Sequence, residues 1–167
     1  MRTAQSRAIP ESPTVEITRM PGGKVQFSFE VPCGADERYV GAEWPIGQSV
    51  WGLWERDVVE VFVQAREGEG YYEFQVSPLG QHFELRVFEP RARVDRDPRT
   101  GLTVGAALGD GSWRGWIAVD ESLLDPNLVG NAFAILGSPD ARSYWSLFAP
   151  PHSPPDFHQP GHFRSLL

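Results

Sequence analysis

The chain has 167 residues, a formal net charge of −7 and a pI near 5.1, which is length enough for one domain with a real core. Its basic residues form no cluster, since those between Arg86 and Arg99 are interleaved with Glu89, Asp95 and Asp97; this speaks against a nucleic-acid partner, which needs a concentrated basic face. No stretch approaches the roughly 18 consecutive apolar residues of a membrane helix, and Cys33, the only cysteine, rules out an internal disulfide or a cysteine-based zinc cluster.

The chain carries 15 Pro and 17 Gly, a composition of short strands joined by turns. Residues 1–13 are polar and Pro-punctuated and read as a flexible arm, with 14–167 as one domain. Arg2 and Arg7 are followed by no apolar h-region, so the chain as written is expected to stay in the cytoplasm. Residues 15–19 and 24–31 flank Pro21-Gly22-Gly23 as a hairpin, with Val25, Phe27 and Phe29 alternating with polar residues. A loop over 32–49 leads to strands at 58–64 and 71–77, separated by the polar turn 66–70. The strand at 81–88 puts Phe83, Leu85 and Val87 on one face and His82, Glu84 and Arg86 on the other. Residues 90–101 read as a charged loop. Further strands are expected at 102–108, 113–119, 132–136 and 144–148, with about one helical turn at 121–124 behind Asp120. The Pro-rich tail is expected to fold back over an edge strand. The pattern is that of an all-β domain, an immunoglobulin-like or jelly-roll antiparallel β-sandwich.

Two acidic residues stand out in 53–63. Asp57 opens its strand, where a carboxylate most often caps a turn. Glu60 interrupts the apolar run 58–63, and a charge in a buried strand needs a partner or a pocket; Arg86 is one candidate partner. Trp116, inside an apolar strand, is expected in the core, while Trp44 and Trp113 are open. Trp51 stands close enough to Trp54 to share its loop surface. His152, His158 and His162 lie too far apart to match a compact metal motif.

The ordered series Trp54-x-x-Asp57-x-Val59-Glu60-x-Phe62 and then Tyr71-Tyr72-Glu73-Phe74-Gln75-Val76-Ser77-Pro78-x-Gly80 resembles the family 9 carbohydrate-binding modules, within the wider DOMON-like group of β-sandwiches. The resemblance continues through Trp116–Val119 and Asn131-x-Phe133 to Phe163. It implies a non-catalytic domain that holds a mono- or oligosaccharide between two aromatic walls, because the C–H face of a pyranose stacks on indole and its hydroxyls must be hydrogen-bonded once dehydrated. Carried onto this chain, Trp54 and Trp145 become the walls, Glu60 accepts sugar hydroxyls, and Arg86 is the hydroxyl-binding arginine. Arg142 stands in the stretch where such modules place an amide. The same group implies calcium as a possible ion. It also opens an alternative as a haem-binding domain, for which Met20 and His82 are the available axial residues. A glycosidase built on Glu73 and Glu84, and a structural or protein-interaction sandwich with no ligand, are the remaining readings.

Overall fold

The protein is described from a computed structural model that covers residues 10–148 and 156–167. Most of the expected arm, together with His152, Pro154 and Pro155, lies outside the described residues. Among the described residues eleven strands form two antiparallel sheets packed as a β-sandwich. The smaller sheet has the order β1 (Thr14–Met20), β2 (Lys24–Pro32), β8 (Ser112–Asp120), β7 (Thr103–Leu108). The larger runs β10 (Ser143–Ser146), β9 (Val129–Leu136), β3 (Val58–Gln64), β4 (Tyr71–Val76), β5 (His82–Glu89), β6 (Arg93–Asp95), with β11 (Arg164–Ser165) also against β9. The helical turn at Glu121–Leu123 is 3-10, and Asp120 before it is held by Lys24 Nζ at 3.1 Å rather than capping it.

Alternation builds the core. On β2, Val25, Phe27, Phe29 and Val31 face inward, and β8 answers with Trp113, Ile117 and Val119. The larger sheet contributes Val59, Val61 and Val63 from β3, Tyr72, Phe74 and Val76 from β4, and Ala132, Ala134 and Leu136 from β9. Trp113 is fully buried, edge-on to Phe29 at 5.1 Å. Trp116, expected in the core, is only half-buried: three residues from Trp113 on one strand, it points to the opposite face and lies over Gly105, its register partner.

The larger sheet is buried on its outer face as well. There Val58, Phe62, Tyr71, Phe83, Leu85, Phe133 and Ile135 form a second apolar cluster under Leu53 and Phe163. Residues 156–163 supply part of this cover: Phe157 stacks on Phe133 at 4.1 Å and Phe163 meets Tyr71 edge-on at 5.3 Å. The C-terminal segment thus covers a sheet face, whereas the sequence had placed it over an edge strand. Two strands also went unread. Residues 93–95 are all exposed and pair with β5 beyond an irregularity at Val87–Glu89, and β11 is only two residues long.

Phe27 is fully buried between the sheets, so Phe27→Ala is expected to cost about 3–5 kcal/mol. Trp116→Ala should cost less. Urea unfolding checks both as midpoint shifts at constant slope.

Candidate functional site

With both faces of the larger sheet buried over most of their length, a concavity on its outer face exposes polar groups of the sheet itself. A cleft of about 670 Å³ lies on the outer face, with Glu60, Glu73, Gln75, Leu85, Val87 and Ile135 at its floor. Trp51, Trp54, Tyr144 and Phe157 stand around it, with Arg91, Arg96, Arg142, Asp156 and His158 among them.

The aromatic wall is built by a pinned loop. Residues 48–50 run beside β5, with Val50 N–H donating to His82 O at 2.9 Å and His82 N–H to Gln48 O at 3.1 Å. Gly52 then takes φ +92°, a left-handed conformation that costs a side-chain-bearing residue. This turns the chain into the 3-10 turn Leu53–Glu55, anchored by fully buried Leu53. Arg142 closes the loop from across the cleft, its guanidinium donating to Trp54 O at 3.1 Å and Glu55 O at 2.6 Å. Trp51 meets Trp54 and Phe83 edge-on, both at 4.9 Å, and Arg96 lies over the Trp51 ring at 3.7 Å. Asp57 secures the start of β3 from beneath: its carboxylate accepts from Tyr39 N–H at 2.9 Å and Gly137 N–H at 2.7 Å. That is the capping role its position implied.

The floor is chemically unusual. Glu60 is 3% exposed, and no hydrogen bond to its side chain is made among the described residues. Its cross-strand partner is Gln75, two residues along β4 from Glu73, so all three share one face. Gln75 Nε2 donates to Glu73 Oε1 at 2.5 Å, while Glu73 Oε2 and Gln75 Oε1 are buried with no hydrogen-bond partner among the described residues. Burial pushes the Glu60 carboxyl well above the usual range, and the charge of Glu73 pushes it further. Burial also raises Glu73, to about 7, against a small lowering from the Gln75 hydrogen bond. His158 stands beside them, its Nε2 3.9 Å from Glu73 Oε2 and its Nδ1 2.6 Å from the Tyr71 hydroxyl. Burial lowers His158, although Asp156 pulls the other way, and burial raises the Tyr71 hydroxyl.

Of the residues read from the sequence, Trp54, Glu60 and Arg142 line this cleft, and Trp145 and Arg86 do not. Register is the reason. On β10, Tyr144 pairs with Ile135 of the cleft floor, while Trp145 pairs with Ala134 of the inter-sheet core. Trp145, 40% exposed, therefore opens beside Val15, Ala134 and Leu147 at the side of the sandwich, and Tyr144 takes the wall position. Trp54 and Trp145 do not face one another across a ligand. Arg86 likewise pairs with Tyr72, and its guanidinium lies over Phe88 at 4.7 Å and Tyr72 at 5.3 Å. It is no partner for Glu60.

The carboxylates Glu73 and Glu84 also part. Glu84 sits opposite Phe74 on the other face and accepts from the Thr100 hydroxyl. Met20 is on β1 of the smaller sheet and His82 on β5 of the larger. Among the described residues no group of three or more His, Cys, Asp or Glu side chains could hold a metal ion. The sequence reading weighed Glu73 only as a glycosidase carboxylate with Glu84 and gave Gln75 no role, so it did not place the two together at the floor of a cleft. The only local trace is two polar residues two apart inside a strand that is otherwise aromatic and apolar, a pattern that a solvated strand face shares.

No family model matches the chain. It is 34% identical over 121 residues to the human UPF0462 protein C4orf33, and 34% identical over 135 residues to its zebrafish homolog. These matches take in 68% and 73% of this chain. They span only 60% and 64% of those proteins' own length. Among solved structures the chain is similar to a protein of Bacteroides uniformis ATCC 8492 described as a "putative carbohydrate-binding protein". The TM-score is 0.71, over 90% of this chain and 75% of that one, at 17% identity. At that identity the likeness establishes a shared fold.

The raised carboxyls have a consequence for stability. Glu73 holds its proton up to about 7 when folded, against an ordinary value of 4.5. Across that window the native state binds more protons than the unfolded chain, so stability falls as pH rises through it. His158, lowered by burial, acts in the opposite sense at the acid end. Denaturant unfolding at about pH 5 and about pH 8 is expected to show Glu73→Gln gaining on the parent chain at the higher pH. A gain of equal size at both would contradict the assignment.

Proposed function

We propose that the chain is a carbohydrate-binding domain of the family 9, DOMON-like kind, with residues 14–167 as the binding unit and 1–13 as a short arm. It takes a mono- or oligosaccharide in the cleft on the outer face of the larger sheet and performs no catalysis there. The observation that carries this reading is the pairing of an indole wall with a floor of buried, unpartnered oxygens. Glu73 Oε2 and Gln75 Oε1 have no hydrogen-bond partner among the described residues, in the same cleft where Trp51 is 46% exposed. A buried acceptor without a donor costs about 1–3 kcal/mol, and a sugar hydroxyl supplies the missing donor. The volume falls within the roughly 300–1,000 Å³ usual for small-molecule sites. The fold shared with the Bacteroides protein supports the same reading.

The proposed contacts differ from those implied by resemblance alone. Trp54 and Trp51 form an angled wall on one side, and Tyr144, 47% exposed, stands where a second wall is needed. Arg142, which lines the cleft, holds the wall loop through the Trp54 and Glu55 carbonyls.

Titrating mono- and oligosaccharides while following tryptophan fluorescence tests this. Trp54→Ala should weaken binding about tenfold or more, and Trp145→Ala should leave it unchanged. A panel of sugars that gives no response, or an equal loss from both substitutions, rejects the proposal.

A further inference from the structure

The floor of the cleft is a cluster of acceptors with no cation. Glu60 and Glu73 lie diagonally on neighbouring strands, and no Lys or Arg among the described residues makes an ion pair with either. Independently of the two acids, Gln75 is fully buried and keeps its Oε1 without a partner in the same cleft. Its amide nitrogen gives one N–H to Glu73, and the atom left without a partner is the carbonyl oxygen, which can only accept.

The positive groups nearby are engaged elsewhere. Arg91 pairs with Asp156 at 3.1 Å, Arg96 lies on the Trp51 ring at 3.7 Å, and Arg142 is bonded to the Trp54 and Glu55 carbonyls. His158, beside Glu73, is held toward its neutral form by burial and is bonded to Tyr71 through Nδ1. Two adjacent buried carboxyls with no cation beside them favour keeping a proton on the pair.

A hydroxyl offers this floor one donor and no charge. A protonated amine offers three donors in a tetrahedral spread together with the positive charge that the floor lacks. We propose that the cleft selects a saccharide bearing a free amine, an amino sugar whose ammonium sits on Glu60, Glu73 and Gln75 while a C–H face of its ring packs on the Trp51–Trp54 wall. The inference rests on the carbohydrate reading and narrows it to a ligand class. As the ammonium enters, the proton held by the carboxyl pair leaves to solvent; no covalent bond changes.

Calorimetry on the full chain at about pH 7 compares glucosamine, glucose, N-acetylglucosamine and ethylamine in two buffers of different ionisation enthalpy. Glucosamine is expected to bind at least about tenfold tighter than glucose, to lose that advantage on N-acetylation, and to release protons on binding where glucose releases none. Glu60→Gln and Glu73→Gln, close in shape to the parent residues, should bring the two sugars together. Trp54→Ala should weaken both alike. Glucose binding as tightly as glucosamine overturns this inference and leaves the carbohydrate reading standing. Binding of neither glucose nor the amino sugars overturns both. Ethylamine matching glucosamine overturns the sugar part, because the wall would then contribute nothing. Calcium chloride displacing glucosamine assigns the acids to a metal and overturns the proposal as well.

Discussion

Strand β3 is buried on both faces, and most of the structure answers to that. Its sequence, Val-Val-Glu-Val-Phe-Val-Gln, supplies apolar residues to both sides, so neither side of the larger sheet can meet water along its length. One side closes against the smaller sheet through Val59, Val61 and Val63. The other has no second sheet. It is closed by the loop carrying Leu53 and by the C-terminal segment with Phe157 and Phe163, each holding one patch of the sheet. A face covered by loops, unlike a face covered by strands, is covered incompletely. The cleft is the part left open, and Glu60 falls in it because its place in β3 gives it no other direction.

How much of this was legible in the sequence depended on parity. Alternation announces the hairpin of β1 and β2, and a short apolar run bounded by polar residues announces β3. Asp57 and Glu60 could be told apart because one opens a strand and the other interrupts it. Which face a residue takes is another matter when the strand lies at an edge. Residues 143–146 of β10 run exposed, exposed, exposed and half-buried, with no apolar rhythm to fix which of Tyr144 and Trp145 points to the cleft. Only the pairing with β9 decides it, and that pairing is a long-range fact. The larger ring was the natural choice for a wall, and one step of register gave the place to its neighbour. Arg86 failed for the same reason. Its alternation was correct, but the face it shares with Tyr72 turned out to be the inter-sheet side.

Glu73 and Gln75 were hidden differently. Their strand reads Tyr-Tyr-Glu-Phe-Gln-Val, and all of it is buried. In an ordinary half-exposed strand, residues 73 and 75 would be the solvated face. Here the outer face is covered too, by residues far along the chain, so the same pattern signals a buried polar site. Nothing local distinguishes the two cases. The distinction is tertiary, and it depends on segments such as 156–163 whose own sequence has no periodicity to announce where they lie.

That leaves the question of why such a floor is kept. Replacing buried ionisable groups with apolar residues of similar volume is often neutral or stabilising, and β3 and β4 already hold Val, Phe and Tyr in equivalent surroundings. Structure alone gives no reason for two carboxyls and an amide here. Asp57 makes the contrast: equally buried, it is satisfied by Tyr39 and Gly137 and earns its place in the fold. Glu60, Glu73 and Gln75 are not satisfied in that way, since two of their oxygens have no hydrogen-bond partner among the described residues and the acids repel one another. Local consistency fails at one spot in a sandwich that is otherwise consistent, and such failures are where function is expected. The cleft opens over that spot.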